Sequence, residues 1–153
     1  MAVVRRFDPS DRSAVLALAV RLVADVPDWR DRRKVSAAVE KSISELVDAE
    51  PRSDAATFVA EENGSVVGFS TVTIGMHFSG ERQASIDDLV VDQDSEGSGI
   101  GQRLVTAAEA WANDHDVALL VVETSVRNER ALRLYRRLGF VDEDLTLSKN
   151  LRS

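Results

Sequence analysis

Three closely spaced glycines are the feature of this sequence that most clearly suggests chemistry. Gly97, Gly99 and Gly101 follow an apolar, β-branched run that ends at Val91, and they precede apolar residues at helical spacing. Where a strand gives way to a helix, the first helical N–H groups lack an intrahelical acceptor and carry the positive end of the helix dipole. Glycine lets the backbone approach a bulky anion. The sequence therefore predicts a phosphate-binding loop, with a glycine-rich turn that only begins a helix as the alternative.

Two common nucleotide-binding motifs do not fit this spacing. A dinucleotide fingerprint G-x-G-x-x-G that began at Gly97 would need glycine where the chain has Gln102. One that began at Gly99 would need glycine where the chain has Leu104. A P-loop would need lysine after its last glycine, whereas Gly101 is followed by Gln102.

Three carboxylates and one phenol could move protons or bind a cation. Glu123 ends an apolar run, where loss of solvent would raise its pKa toward the range of a general base. Asp87 and Asp88 fall on opposite faces of their predicted strand, so at most one of them is expected to point into a site. Tyr135 could donate a proton. The plain alternatives are solvated acids at a strand end and an ordinary core tyrosine.

Periodicity and turn residues divide the chain into helices and strands that would position these groups. The Asn63-Gly64 pair between two β-rich runs predicts a hairpin. Asp8-Pro9 is a candidate N-cap with proline just inside the first helix, and Gly139 is a candidate stop for the last helix. The apolar run at 118–123 predicts a central strand buried on both faces. The predicted helices cover residues 10–24, 30–50, a stretch that begins near 100, and 128–138, and the predicted strands cover residues 3–7, 57–60, 65–74, 84–91, 118–123, 140–141 and 145–147.

Composition narrows the class of protein. A chain of 153 residues has the length of one ordinary domain, and we expect a single domain over residues 1–153. The sequence has no cysteine, and its two histidines, His77 and His115, are isolated, so we expect neither disulfides nor a metal site. The net charge of −7 argues against a nucleic-acid partner. No tract approaches the length of a membrane span, and the N-terminus lacks a signal sequence, which predicts a cytoplasmic location without a membrane partner.

Two blocks of the sequence resemble the GNAT superfamily of N-acetyltransferases. The glycine loop resembles the end of the family's diphosphate loop, Gln/Arg-x-x-Gly-x-Gly/Ala. The block from Asn128 to Phe140 matches every named position of Asn-x-x-Ala-x-x-x-Tyr-x-x-x-Gly-Phe. Glu96 departs from the pattern, because it places a carboxylate where Arg or Gln is usual. On the sequence alone, backbone N–H groups would have to bind the diphosphate, and Glu96→Arg is expected to tighten the binding of acetyl-CoA.

The resemblance implies an α/β fold of the α+β type. Its mixed, mostly antiparallel central sheet would have six to seven strands and helices on both faces, and splayed central strands would form a slot for the coenzyme. Acetyl-CoA is the implied acyl donor, and no metal is implied. The residues that match the family's coenzyme site are Leu89, Val90, Val91, Gly97, Ser98, Gly99, Ile100, Gly101, Gln102 and Asn128.

The implied reaction is direct attack of a primary amine on the thioester, without a covalent enzyme intermediate. Tyr135 matches the family's general acid, and Glu123 matches a glutamate that is the general base in ribosomal-protein alanine N-acetyltransferases. Asp87 and Asp88 compete for the role of base, or would bind a substrate ammonium. These acids suit a cationic small-molecule or peptide amine, and the family also allows a homodimer. The alternative is a non-catalytic acyl-CoA-binding or regulatory module of the same fold, which Glu96 favours.

Overall fold

One five-stranded sheet forms the centre of the structure, a computed structural model that describes residues 1–152. Its elements are β1 (Val3–Arg6), α1 (Arg12–Ala19), α2 (Arg32–Asp48), β2 (Ala55–Glu62), β3 (Ser65–Met76), β4 (Arg82–Val91), α3 (Ile100–Asp114), β5 (Leu120–Val122) and α4 (Glu129–Arg137). The strands lie in the order β1-β2-β3-β4-β5. The first three pairings are antiparallel and the pairing of β4 with β5 is parallel. The sheet is therefore mixed and mostly antiparallel, as predicted.

Helices cover both faces of the sheet, as predicted. On one face, α1 and α2 contribute Val15 and Ile43 to a cluster with Phe69 of β3 and Val90 of β4. On the other face, the larger cluster combines residues of three strands with residues of α3 and α4. Its buried members are Ala56, Val72, Ala84, Ile86, Val105, Ala108, Trp111, Ala112 and Tyr135. Alternate strand residues therefore supply the two cores, which is the pattern expected of a sheet packed on both sides.

Local signals in the sequence place several turns and caps correctly. Asp8 caps the 3-10 turn Pro9–Asp11 through a reciprocal capping box, and α1 follows directly. Asn63 and Gly64 both have positive φ, 52° and 80°, as a two-residue hairpin turn between β2 and β3 requires. Gly139 follows α4 with φ 97°, which confirms its role as the stop signal of that helix.

The first two helices agree with the prediction except at their ends. The helix predicted over 10–24 is α1 extended at its C-terminus by the 3-10 turn Val20–Val23, and the one predicted over 30–50 is α2. Asp31 caps α2, since its side chain accepts hydrogen bonds from the N–H groups of Arg33 and Lys34. None of the described helices is both long and apolar enough to cross a bilayer.

The prediction of six to seven strands is wrong, because the described chain forms five. Residues 140–141 and 145–147 were predicted as strands, and residues 140–152 have no regular secondary structure. The 118–123 run is also shorter than predicted: β5 has three half-buried residues and lies at the edge of the sheet. An alternating pattern such as Leu145 and Leu147 favours a strand only when a neighbour pairs with it. Without a strand beyond β5, the run at 118–123 is not central.

Candidate active site

A cavity opens where β4 and β5 stop pairing. Their hydrogen-bonded register covers only Ala84–Ile86 and Leu120–Val122, whereas β4 continues to Val91. From Asp87 onward, the backbone groups of β4 on that side therefore have no strand partner. The cavity has a volume of about 640 Å³ and is lined by β4, the segment after β5, α3, α4 and the 3-10 turn Val20–Val23.

The glycine loop lines this cavity and places the N-terminus of α3 beside it. Gly97 and Gly99 have φ of 80° and 83°, a region of backbone conformation that glycine adopts without strain. Gly99 is the N-cap residue of α3, and no side chain caps the helix. The first N–H groups of α3 are therefore left available to an anion at the positive end of the helix dipole. Gly97, Gly99, Ile100, Gly101 and Gln102 line the cavity.

Two residues of this loop have structural roles that the sequence alone does not show. The Ser98 hydroxyl donates a hydrogen bond to the backbone carbonyl of Ser95 at 2.5 Å, and Ser98 does not line the cavity. A Cβ added to Gly101 would lie 3.2 Å from Cδ2 of Leu134 and 3.9 Å from Cγ2 of Val91. Gly101 therefore allows close packing of α3 against α4 and β4, in addition to any contact with an anion.

Glu96 is bound by two arginines from distant parts of the chain. Its Oε1 accepts a hydrogen bond from Nη2 of Arg21 at 2.7 Å, and its Oε2 accepts one from Nη1 of Arg130 at 2.7 Å. Arg21 also donates through Nη1 to the backbone carbonyl of Val91. All four residues line the cavity. The negative charge of Glu96 is therefore balanced by two guanidinium groups. This removes the reason to expect that Glu96→Arg would tighten coenzyme binding.

The remaining residues that match the coenzyme site lie along the same cavity wall. Leu89, Val90 and Val91 line it at the end of β4, although the side chain of Val90 is buried in the α1–α2 core. Asn128 lines it at the start of α4. The carboxamide oxygen of Asn128 accepts a hydrogen bond from the N–H of Ala131 at 3.1 Å, so this side chain also caps α4.

A β-bulge places Asp87 and Asp88 on the same face of the sheet. Thr71 pairs with Asp88 and the next residue of β3 pairs with Ile86, which leaves Asp87 as the extra residue. Asp88 accepts a hydrogen bond from the Thr71 hydroxyl at 2.5 Å, and Asp87 accepts one from the Thr73 hydroxyl at 2.7 Å. Thr71 and Thr73 lie on one face of β3 because they are two residues apart. The expectation that only one of the two acids points into the site is wrong, and both line the cavity.

Burial changes the acidity of two groups at the centre of the cavity. Desolvation raises the pKa of Asp88, the hydrogen bond from Thr71 opposes that shift, and the charge of Asp87 adds to it. Desolvation also raises the pKa of Tyr135 to about 12, with a further contribution from the Asp88 carboxylate. Tyr135 is 6% exposed, yet it lines the cavity, and its ring meets Phe140 edge to face. The phenol is therefore protonated at neutral pH and senses the Asp88 charge.

Side chains of both charges line the cavity. Four carboxylates lie on β4, after β5 and after the 3-10 turn that extends α1: Asp25, Asp87, Asp88 and Glu123. Guanidinium groups come from that turn and from α4: Arg21, Arg130, Arg133 and Arg137. Glu123 is exposed to solvent, contrary to the loss of solvent expected from its position after an apolar run. The cavity can therefore bind a ligand that carries both anionic and cationic groups.

Three residues of the site were missed by sequence reasoning. Arg21 lies in the last turn of the helix predicted over 10–24, and its partner Glu96 is 75 positions away. Thr71 is one polar residue in a β-rich run, and only the pairing of β3 with β4 shows that it faces Asp88. Asp25 lies near the end of a predicted helix and has no motif around it. Among residues 1–152, no three His, Cys, Asp or Glu side chains are grouped closely enough to hold a metal ion.

Comparison with known proteins relates this chain to one family. A family model described as "Acetyltransferase (GNAT) family" matches residues 23–140. An uncharacterized N-acetyltransferase of Methanocaldococcus jannaschii is 32% identical over 90 residues, which are 58% of this chain and 40% of that protein. Aminoglycoside N(6')-acetyltransferase type 1 of Stenotrophomonas maltophilia is 26% identical over 146 residues, which are 92% of this chain and 87% of that protein.

A solved structure has the same fold over nearly the whole length. Aminoglycoside acetyltransferase AAC(6')-Iy, in complex with the bisubstrate analogue CoA-S-monomethyl-acetylneamine, superimposes with a TM-score of 0.75 and 17% identity over 100% of this chain and 99% of that one. At this identity the likeness concerns the fold alone. The chain spans 40%, 48% and 29% of the lengths of the first three curated relatives that it matches.

Proposed function

Because this chain belongs to the acetyltransferase (GNAT) family, we propose that it transfers an acetyl group from acetyl-CoA to a primary amine. The single observation that carries the proposal is the cavity between the separated strands β4 and β5, which combines an uncapped helix N-terminus with a buried phenol and a carboxyl of raised pKa. Anion binding and proton transfer are the two demands of acetyl transfer from a coenzyme thioester.

The residues along the cavity fit acetyl-CoA as the acyl donor. The free N–H groups at the start of α3 would donate to the diphosphate, with Gly97 and Gly99 providing the close approach. The backbone edge of β4 from Asp87 onward, which has no strand partner, would bind the amides of the pantetheine arm in the manner of an added strand. Asn128 would contact the same arm. AAC(6')-Iy, which shares the fold, has been solved with a bisubstrate analogue that contains CoA.

Acetyl-CoA supplies an activated acetyl group as a thioester. In the proposed reaction, the amine nitrogen attacks the thioester carbonyl, the new C–N bond forms and the C–S bond breaks. Tyr135 donates its phenolic proton to the departing sulfur, since its raised pKa keeps it protonated at the pH of turnover. A carboxylate of the chain removes a proton from the attacking nitrogen, so that the net transfer is one proton from nitrogen to sulfur.

Two carboxylates compete for the role of base. Glu123 is the residue implied by the family resemblance, and it lines the cavity directly after β5. Asp88 is the residue that the local environment favours, because burial raises its pKa toward the range of an effective base. In either case, the carboxylate of Asp87 would lie beside them to attract the ammonium of the substrate. A mutation that changes the pKa of Asp88 and leaves Glu123 untouched distinguishes the two.

The acidic lining supports a cationic amine as the substrate class. The four carboxylates that line the cavity on the strand side or near it are Asp25, Asp87, Asp88 and Glu123. The relative from Stenotrophomonas maltophilia is named for an aminoglycoside, a substrate with several amino groups. We propose a small-molecule or peptide amine that carries a second positive charge, bound by the carboxylates that do not act as base.

An amine panel graded by charge tests the proposal. Purified protein is incubated with acetyl-CoA and with amines of matched size that carry one, two or three positive charges, and free thiol is measured. Thiol release is expected with the polycationic amines and weaker release with the singly charged ones. Binding of CoA without thiol release on any amine would instead favour the non-catalytic acyl-CoA-binding alternative. Equal rates across the panel would contradict the cationic substrate class and leave the transferase activity standing.

A further inference from the structure

Glu96 connects two arginines that approach the glycine loop from opposite faces of the sheet. Arg21 belongs to the 3-10 turn after α1, and Arg130 belongs to α4. Each guanidinium contacts a different oxygen of the carboxylate, both at 2.7 Å. We propose that Glu96 is a positioning residue that holds Arg21 and Arg130 for contact with the diphosphate of the coenzyme. This inference rests on the proposed function.

Both arginines keep donors for a second anion while they bind Glu96. A guanidinium has five N–H donors in a fixed plane. Arg21 uses Nη2 for Glu96 and Nη1 for the backbone carbonyl of Val91, which fixes its plane at two points. Arg130 uses Nη1 for Glu96, and its Nη2 lies 3.7 Å from the position of a Cβ on Gly97. A free donor of Arg130 therefore lies over the glycine loop, where backbone N–H groups also converge.

The group formed by Glu96, Arg21 and Arg130 attracts phosphate only because the two arginines outweigh the charge of Glu96. Two guanidiniums and one carboxylate carry a net charge of +1, so the group attracts phosphate although its central member is an anion. Ordering a long side chain at the moment of binding lowers affinity by about two- to tenfold per side chain. By holding both arginines before the coenzyme arrives, Glu96 removes that cost. In this chain, Glu96 with its two partners replaces the Arg or Gln that the family usually has at this position.

The direction in which Glu96→Gln changes the affinity for CoA shows whether Glu96 positions the arginines or only repels the diphosphate. If Glu96 only repelled the diphosphate, loss of its charge would tighten CoA binding by about threefold, the Coulomb effect of a unit charge about 6 Å away in water. If Glu96 positions the arginines, the same change should weaken CoA binding by about fivefold. We would measure CoA affinity by isothermal titration calorimetry, independently of turnover. The matched control is Glu129→Gln, which removes an equal charge from a solvent-exposed ion pair with Arg133 on α4.

A double-mutant cycle with Arg130→Gln and a second ligand complete the test. Arg130→Gln should weaken CoA binding by itself, and adding Glu96→Gln to it should cost less than in the wild type, because one of the positioned arginines is already missing. Dephospho-CoA keeps the diphosphate and lacks the 3'-phosphate, so it should show the same loss with Glu96→Gln. Tighter CoA binding by Glu96→Gln would overturn the inference, and a loss confined to CoA would overturn its assignment to the diphosphate. A wild-type protein that binds no CoA would overturn the proposed function as well.

Discussion

Replacing Thr71 by valine should move the acidic limb of turnover to higher pH. The Thr71 hydroxyl donates a 2.5 Å hydrogen bond to Asp88, and this bond favours the charged carboxylate. Valine keeps the branched shape of threonine and removes the donor. The pKa of Asp88, already raised by burial, would then rise further. A general base works only when it is unprotonated, so the pH at which turnover reaches half of its plateau should rise with it.

The size of the shift follows from the strength of the lost bond. A hydrogen bond to a charged group contributes about 1.5–3 kcal/mol, and one pKa unit corresponds to about 1.36 kcal/mol. Complete loss would therefore raise the pKa by about one to two units. Asp88 is half-buried, so water would replace part of the bond, and we expect a shift of about one unit. Thr71 is fully buried, so a loss of stability is also expected, and folding must be checked at each pH.

The assay is the pH dependence of kcat for Thr71→Val, with Thr73→Val as the matched control. Thr73 donates the equivalent bond to Asp87, so its loss should leave the limb within a few tenths of a unit of the wild type. Glu123→Gln should leave the limb in place and act mainly on KM for the amine. If the limb of Thr71→Val does not move while that of Glu123→Gln disappears, Glu123 is the base and the assignment to Asp88 is refuted.

Two further predictions follow from contacts described above. Tyr135→Phe removes only the hydroxyl, so CoA affinity measured by calorimetry should persist while kcat falls about 10²-fold or more. Because the pKa of Tyr135 is about 12, the wild type should show no alkaline limb from this phenol below about pH 11. An unchanged kcat would remove Tyr135 from the mechanism. Gly68→Ala would place a Cβ 2.8 Å from the carbonyl oxygen of Val90 and 3.2 Å from Cδ1 of Leu104. It should lower the free energy of unfolding in urea by about 1–3 kcal/mol, whereas Gly75→Ala, with no atom within 4 Å, should change it little.

Most of the secondary structure could be predicted because its signals are local. Caps, turn residues and apolar periodicity involve neighbours within one or two helical turns, so Asp8, Asn63-Gly64 and Gly139 were correctly interpreted from the sequence. The edge of the sheet could not be predicted in this way. Whether 145–147 forms a strand depends on pairing with β5, and that pairing has no signature in the segment itself.

The candidate site shows the same division between local and distant information. The glycine loop and the block around Tyr135 were recognised because their residues occur at fixed spacing. The bulge at Asp87 reverses which face Asp88 occupies, and it exists only in the register of β4 against β3. Likewise, Glu96 was interpreted as a repulsive charge because both of its arginine partners are more than 30 positions away. Predictions of charge effects from sequence fail where such partners are not visible.

The most direct test of the central claim is the stoichiometry of the transfer itself. Acetyl-CoA and a polycationic amine are mixed with the protein, and free CoA thiol and acetylated amine are both quantified by mass spectrometry over the same time course. The account predicts one acetylated amine for each thiol released, at a rate that falls when Tyr135 is replaced by phenylalanine. Thiol released without acetylated amine, or neither product with any amine tested, would contradict the assignment of this cavity to acetyl transfer.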